Sequence, residues 1–196
     1  MAITKRYTVF CGSSAGTEKI YAEQAYALGK ELAERGIGLV FGGGKIGMMG
    51  AVADGVMAHQ GEAIGVIPKF LCTKEIAHGG LMKLHIVETM HERKMMMNEL
   101  CTGVITLPGG FGTMEELFEM LTWQQLGLHQ KPIGILNING FYDDLLALVQ
   151  TMVTKGYLTE QHQNILLTDS TIEGLLEKMD NFVAPEVPKW ITEEEV

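Results

Sequence analysis

The sequence has few cysteines, and it lacks any long apolar run. Only three of its 196 residues are cysteines, and no two of them have the Cys-x-x-Cys spacing of a zinc site. An odd number without that spacing also argues against a disulfide framework. No apolar run approaches 18 residues, and the first residues contain no apolar signal-peptide core, so we expect no membrane partner. The default expectation is a protein of the reducing cytoplasm, with its cysteines at Cys11, Cys72 and Cys101.

Positive charge is also scarce, since 15 Lys and Arg face 24 Asp and Glu, a formal net charge of −9. A protein that binds nucleic acid usually carries a positive surface, so the sequence predicts no nucleic-acid partner. A small anionic ligand is compatible with this balance, because it needs positive potential only within its own site. Part of the acidic excess lies at the end of the chain, where we predict a short acidic extension over residues 185–196.

Glycine, by contrast, is abundant, with 24 residues and no Gly-X-Y period. Short apolar runs alternate with longer stretches of helical spacing, a pattern typical of βαβ units and a parallel sheet. We therefore predict an α/β protein, a single-domain doubly wound (Rossmann-like) sheet of about six or seven strands flanked by helices, over residues 1–184. Predicted helices span Thr17–Arg35, closed by Gly36, and residues 141–155 and 170–182. The predicted strands are Tyr7–Cys11, Ile37–Phe41, Ala63–Ile67, Leu84–Val87, Val104–Leu107, Ile133–Leu136 and Ile165–Leu167.

Two glycine-bearing loops follow the first two predicted strands, at the edge of the sheet where ligands bind in such folds. The first loop contains Gly12 and Ser13, which could bind a phosphate or form a tight capped turn, and the sequence leaves both open. The second, Gly42–Gly47, matches G-x-G-x-x-G, but it follows the second strand and no acid is placed to hold a ribose. We expect only that a ligand can approach its backbone closely, at Gly43 and Gly44.

A third glycine loop, Pro108–Thr113, follows the strand that ends at Leu107. Thr113 is predicted to cap the helix that comes next. The N–H groups of Gly110, Gly112 and Thr113 would then surround an anion at the positive end of that helix. Three glycines between a proline and a threonine are more than a helix cap requires, so this loop is the sharpest signal of a ligand site.

The segment of residues 90–94 supplies the cations, and a helix is predicted to follow it. Arg93 shares a helical face with Met96, Met97 and Leu100, which indicates that its side chain points inward. An inward arginine is costly unless it is paired, so we expect a ligand or a carboxylate partner. Lys94, about 100° around the helix, is by default a surface residue. For Met97, Phe111 and Trp123 we expect core packing, with a pocket for a prenyl group as the alternative.

Taken together, these segments resemble the LONELY GUY (LOG) family of cytokinin riboside 5′-monophosphate phosphoribohydrolases, whose members have often been labelled lysine decarboxylases. The resemblance covers nearly the whole chain and depends on the order of the motifs rather than on any one of them. The matching segment for the family motif PGGxGTxxE is Pro108-Gly109-Gly110-Phe111-Gly112-Thr113-Met114-Glu115-Glu116. Further matching blocks are Val9–Ser14, Gly42–Gly50, Gly65–Pro68, Met90–Lys94 and Thr122–Gly127.

The resemblance implies that Arg93 and Glu116 are the catalytic residues. It further implies that the substrate is a nucleoside 5′-monophosphate, that no metal or other cofactor is needed, and that homodimers form composite sites to which Arg93 or Thr122 contributes. The substrate-binding residues that we predict are Gly12, Ser13, Gly43, Gly44, Glu75, Lys94, Gly109, Gly110, Phe111, Gly112, Thr113, Met114, Glu115 and Thr122.

The implied reaction is hydrolysis of the N-glycosidic bond of an N6-substituted adenosine 5′-monophosphate, which releases the free base and ribose 5-phosphate. Two alternatives use the same scaffold: a nucleosidase for plain AMP or another purine monophosphate, and a non-catalytic nucleotide-binding protein. A lysine decarboxylase is a third alternative, although the sequence contains no pyridoxal-phosphate signature.

Overall fold

A parallel sheet of seven strands forms the centre of the computed structural model, which describes residues 5–72, 78 and 81–185. The α/β fold with a doubly wound sheet is therefore confirmed. The strands are β1 (Arg6–Phe10), β2 (Gly38–Phe41), β3 (Ala63–Pro68), β4 (Lys83–Val87), β5 (Gly103–Thr106), β6 (Ile133–Leu136) and β7 (Leu166–Asp169). The helices are α1 (Lys19–Glu34), α2 (Gly47–Ala58), α3 (Lys69–Cys72), α4 (Met90–Leu100), α5 (Phe111–Gln125), α6 (Asp143–Thr154), α7 (Glu160–Gln163) and α8 (Ile172–Asp180).

The strand order, β4-β3-β2-β1-β5-β6-β7, reverses direction between β1 and β5. The chain builds the sheet outward from β1 to β4 and then returns to the other side of β1. Phe10 at the end of β1 is paired with Thr106 at the end of β5, so the loops that follow these two strands leave the sheet side by side. A hydrogen bond joins them, from the Gly12 N–H to the Pro108 carbonyl at 3.0 Å. Such a reversal point creates the crevice in which doubly wound folds bind ligands.

Each face of the sheet is covered by its own apolar core. One core is formed mainly by α1, α2 and α8, with fully buried residues such as Leu28, Val52 and Leu175. The other lies beneath α4 and α5, where Met97 and Leu117 are buried. Burial of a side chain of this size contributes roughly 1.5–3 kcal/mol, so the two cores hold the helix ends firmly at the carboxyl edge of the sheet.

Helix α1 ends as the sequence predicts. Gly36 follows it with a φ of +69°, in the left-handed region that glycine adopts without strain. The Gly36 N–H donates to the Ala33 carbonyl at 3.0 Å, and the Ile37 N–H donates to the Leu32 carbonyl at 2.8 Å. These two bonds form a Schellman motif, which satisfies two of the last carbonyls of the helix and turns the chain into β2.

Among the described helices, none combines the length and the apolar character needed to cross a bilayer. Residues 186–196, which include Glu193–Glu195, lie outside the described residues. The domain boundary near residue 185 therefore stays a prediction.

Candidate active site

A cavity of about 280 Å³ opens at the carboxyl edge of the sheet, beside the point where the strand order reverses. It lies between the loop after β1, the start of α5 and the buried face of α4. The described residues that line it are Cys11, Gly12, Ser13, Met49, Leu71, Arg93, Gly110, Phe111, Gly112, Thr113 and Glu116. The structure thus brings both predicted catalytic residues and most of the third glycine loop to one place.

The start of α5 differs from the prediction in its capping residue. Gly110 occupies the N-cap position, with no side-chain hydrogen bond there, and the helix begins at Phe111. Thr113 is therefore the third helical residue and not the cap. Its side chain packs instead against Gly109, where an added Cβ would lie only 2.1 Å from the Thr113 Oγ1. The predicted role of Thr113 as a cap is wrong because this close contact draws its side chain inward, and Thr113 is only 4% exposed.

The first turn of α5 nevertheless offers unpaired donors to the cavity. The first intrahelical bond here runs from the Met114 N–H to the Gly110 carbonyl at 3.1 Å, so the N–H groups of residues 111–113 have no acceptor within the helix. A Cβ added at Gly110 or Gly112 would meet no atom within 4 Å, which means that both backbones face open space. The positive end of the helix dipole adds to this attraction for an anion.

Arg93 is held in place by α4, which begins with a capping box. The Thr89 hydroxyl accepts from the Glu92 N–H, and the Glu92 carboxylate accepts from the Thr89 N–H. One turn in, the Arg93 side chain is only 8% exposed, and its Nε donates to the Val66 carbonyl of β3 at 3.1 Å. An added Cβ at Gly42 would lie 2.3 Å from the Arg93 Nη2, so only glycine fits beside the guanidinium.

Glu116 is the carboxylate partner that the inward arginine requires. The Arg93 Nη1 donates to the Glu116 Oε1 at 2.9 Å, and the Glu116 side chain is 7% exposed. Burial raises the pKa of Glu116 to about 6, although the Arg93 charge opposes that shift. No other hydrogen bond to Glu116 is found within the described part of the chain, which leaves its Oε2 for a ligand. The site therefore combines a buried carboxyl group of raised pKa, a fixed cation and a helix end whose first N–H groups have no intrahelical acceptor.

Lys94 is not a surface residue, contrary to the default expectation. Its side chain is 9% exposed, and its Nζ lies 2.5 Å from the Glu115 Oε1 and 2.8 Å from the Glu119 Oε1. Burial lowers the pKa of the Lys94 amine, but the hydrogen bonds to the two carboxylates outweigh it and raise the pKa above its usual value. The two carboxylates draw Lys94 inward, and together with Arg93–Glu116 they tie α4 to α5.

The remaining predicted binding residues lie in several places. Gly43 and Gly44 are buried in the loop after β2 and do not line the cavity. Met114 packs against the core beneath α4 and α5. Thr122 is exposed on α5 and borders a separate groove. Glu75 lies outside the described residues.

The expectation of core packing is confirmed for Met97, which is 1% exposed, and Trp123 packs partly buried against the same core. It is wrong for Phe111, the first residue of α5, which is 97% exposed and therefore lies in solvent. Sequence reasoning also missed Glu119 and the lining residue Cys11. The available signals were the four-residue spacing from Glu115 to Glu119, which puts both acids on one helical face, and the position of Cys11 at the carboxyl end of the first predicted strand.

Residues 49–179 match the sequence profile of a family described as "Possible lysine decarboxylase". The chain is 45% identical to a probable cytokinin riboside 5′-monophosphate phosphoribohydrolase of Oryza sativa subsp. japonica, over 90% of this chain and 79% of the relative. It is 44% identical to the rice cytokinin riboside 5′-monophosphate phosphoribohydrolase LOG, over 91% and 74% of the two chains. An Arabidopsis thaliana protein of that activity is 42% identical, over 91% of this chain and 84% of its own.

Solved structures share the fold at lower identity. The molybdenum cofactor binding protein of Rippkaea orientalis superposes with a TM-score of 0.68 at 20% identity, covering 91% of this chain and 98% of that one. The molybdenum cofactor carrier protein of Chlamydomonas reinhardtii gives a TM-score of 0.68 at 17% identity, covering 90% and 96%. At these identities the likeness extends to the fold alone.

Proposed function

This chain belongs to the LOG family of cytokinin riboside 5′-monophosphate phosphoribohydrolases, and from that membership we propose how its own residues carry out the hydrolysis. The proposed substrate is an N6-substituted adenosine 5′-monophosphate, and the products are the free base and ribose 5-phosphate. The observation that carries the proposal is the buried Arg93–Glu116 pair, joined by one hydrogen bond at a cavity that also contains the open first turn of α5.

The phosphate of the substrate binds, in this proposal, at the start of α5. The N–H groups of residues 111–113 and the helix dipole provide its positive surroundings, and Ser13 borders the same space. Because these donors belong to rigid backbone, binding of the phosphate fixes the ribose relative to Glu116. Binding energy gained at the phosphate is thus used to position the sugar for reaction.

Bond cleavage takes place next to Glu116. The bond between the ribose C1′ and the base nitrogen breaks, and its electron pair leaves with the base, which takes up a proton from solvent. Positive charge then develops on the ribose ring, as in other glycoside hydrolyses. The ionised Glu116 stabilises that charge, accepts a proton from the water whose oxygen forms the new bond to C1′, and then releases that proton to solvent. Arg93 keeps the carboxylate in place through Oε1, and Oε2 stays available for this work.

The name of the matched family profile raises the alternative of lysine decarboxylation, which requires a lysine able to form a Schiff base. Lys94 is the buried lysine at this site, and its two carboxylate partners keep its amine protonated. A protonated amine is not a nucleophile. The surroundings of Lys94 therefore favour a structural ion pair over a cofactor-binding lysine.

We further propose a homodimer in which the groove beside Thr122 faces the partner. This groove of about 230 Å³ lies between α5 and the segment of α6 and α7, and it is lined by apolar residues such as Leu121 and Met152. Tyr157 at its margin is 87% exposed. Light scattering should give twice the chain mass, and Tyr157→Glu should shift the protein toward the monomer. A chain that is monomeric at assay concentration would contradict this arrangement.

The function is tested by incubating the protein with a set of nucleoside 5′-monophosphates and measuring ribose 5-phosphate. We expect release from isopentenyladenosine monophosphate, with slower release from AMP. Equal rates would favour the plain purine nucleosidase, and tight AMP binding without any release would favour the non-catalytic binding protein. The matched control is the Glu116→Gln chain, which keeps the size of the side chain but cannot ionise.

A further inference from the structure

A second cavity of about 340 Å³ adjoins the candidate active site. It opens at the same edge of the sheet, on the side of α1 and of the turn after β6. The two cavities share three residues, Gly12, Ser13 and Gly110, whereas Arg93 and Glu116 line only the first. The second is lined by Gly12, Ser13, Ser14, Gly16, Tyr21, Met48, Pro108, Gly109, Gly110 and Phe141.

The three shared residues indicate how the two cavities are placed relative to the proposed phosphate position. Gly12, Ser13 and Gly110 flank the first turn of α5, where the phosphate binds in the proposed function. Glu116 and Arg93, which act at C1′ of the ribose, lie to one side of that phosphate. The second cavity shares those three residues but is lined by neither Arg93 nor Glu116, so we infer that a group placed there is attached to the phosphate and not to the ribose. A nucleoside monophosphate has no such group and would leave the second cavity unfilled.

The walls of the second cavity suit a flat aromatic group. The rings of Tyr21 and Phe141 are 6.1 Å apart at an angle of 77°, and the Phe141 ring contacts Tyr142 edge to face at 4.9 Å. Phe141 is nevertheless 44% exposed, so part of its ring remains available for stacking. Gly16 has a φ of +76°, and a Cβ there would lie 2.9 Å from the Tyr21 ring, so this loop lies directly against the aromatic wall. Any nucleic-acid base can stack on such rings, because every base has a flat aromatic face.

We propose that the second cavity binds the distal nucleoside of a dinucleotide whose diphosphate spans the start of α5. This inference rests on the proposed function for the position of the first phosphate. Doubly wound folds bind dinucleotides across the point where the strand order reverses, and here both cavities border that point. The ligand class is therefore an adenosine 5′-diphosphate whose terminal phosphate carries a second nucleoside or a similar aromatic group.

The test compares equilibrium binding of three probes by calorimetry: ribose 5-phosphate, AMP and diadenosine diphosphate. It uses both the unaltered chain and Glu116→Gln, so that hydrolysis does not obscure binding. We expect diadenosine diphosphate to bind about tenfold more tightly than AMP, the contribution of one stacked base. Phe141→Ala should abolish that difference and leave the affinity for AMP unchanged.

Two further variants keep the result interpretable. Phe141→Leu retains an apolar side chain of similar size, and it should fold normally yet lose most of the gain, because it has no aromatic face. Tyr26→Ala removes another partly exposed aromatic ring outside both cavities, and it should bind all three probes like the unaltered chain. Melting curves recorded alongside identify any variant that fails to fold.

The outcomes separate this inference from the proposed function. If AMP binds but the second adenosine adds no affinity, or if the added affinity survives in Phe141→Ala, the second cavity does not hold a nucleoside and the inference is wrong. If no probe binds, the proposed function is wrong too. Release of ribose 5-phosphate from AMP bears only on the proposed function.

Discussion

Two Arg–Glu pairs lie at opposite ends of the same sheet, and they differ in how completely they are bonded. Arg6, at the start of β1, makes two hydrogen bonds to Glu62, from Nε to Oε2 at 2.6 Å and from Nη2 to Oε1 at 3.1 Å. Both carboxylate oxygens are occupied. Arg93, at the carboxyl edge, makes a single bond to Glu116 at 2.9 Å and uses its Nε for a backbone carbonyl.

The two pairs also differ in how much of each side chain is exposed to solvent. The Arg6 side chain is 29% exposed, so water solvates part of its charge, whereas Arg93 and Glu116 are 8% and 7% exposed. Only the second pair borders the cavity at the start of α5. The same residue types thus form a structural ion pair where both carboxylate oxygens accept hydrogen bonds, as in Arg6–Glu62. They form a candidate reactive site where the pair is buried beside a cavity and one carboxylate oxygen has no partner among the described residues. Four predictions test this distinction.

The largest effect is expected at the carboxyl edge. Glu116→Gln and Arg93→Ala should each lower the rate of ribose 5-phosphate release by about 10³-fold, within the range for loss of a general acid–base group. Circular dichroism should show a folded protein in both cases. Glu62→Gln, the matched change at the other pair, should keep near-normal turnover. Near-normal release by folded Glu116→Gln would remove the basis for its catalytic role.

At the amino edge the expected loss is one of stability. Glu62→Gln weakens a charge-assisted bidentate pair and should cost about 2 kcal/mol. In a chain of this length that corresponds to a fall of roughly 4–8 °C in Tm. Thermal melts of Glu62→Gln and Glu116→Gln, recorded together, check the comparison. An unchanged Tm in Glu62→Gln would mean that the Arg6 pair does not act as a structural ion pair.

The acid limb of the activity profile should report the raised pKa of Glu116. Because the reaction needs the ionised carboxylate, kcat/KM should be constant above pH 6 and fall about tenfold per pH unit below it. A glutamate with its ordinary pKa would shift this acid limb to a pH more than one unit lower. The AMP phosphate itself titrates at about pH 6, so the profile is compared with that of Glu116→Gln, and only a limb that is absent from the residual activity of the variant reports Glu116. A limb near pH 4.5 would argue against Glu116 as the titrating group.

The smallest effect is expected for the open glycine of the third loop. Gly112→Ala adds a Cβ where nothing lies within 4 Å, so the fold should tolerate it. The new methyl group borders the proposed phosphate position, and KM should rise by about threefold to tenfold, equivalent to roughly 1 kcal/mol. A parallel Tm measurement should show no loss. An unchanged KM would indicate that the phosphate binds elsewhere.

Much of the fold follows from local patterns in the sequence. Runs such as Ile133–Leu136, bounded by polar residues or glycine, indicated all seven strands within one or two residues. The pattern works because a strand covered on both faces must be continuously apolar. Gly36 marked the end of α1 for an equally local reason, since glycine adopts a positive φ without strain. The inward direction of Arg93 also followed from helical spacing alone.

The errors concern residues whose surroundings come from distant parts of the chain. Lys94 was expected at the surface because nothing near it in sequence suggests the two carboxylates of α5 that bury it. Thr113 looked like a cap because its contact with Gly109 depends on the path of the loop. Phe111 looked like a core residue by composition, yet the first residue of α5 faces outward.

The sequence by itself determined the elements, the parallel sheet and the family, because those depend on short-range periodicity and on the order of motifs. It also placed glycines after three strands. Only the tertiary structure decided that β1 and β5 are neighbours, which brings their loops to one crevice. It also decided that Arg93 makes one bond to Glu116 while Arg6 makes two to Glu62. Hydrogen-bond geometry and burial depend on distances between elements far apart in the chain, and no local pattern encodes those distances.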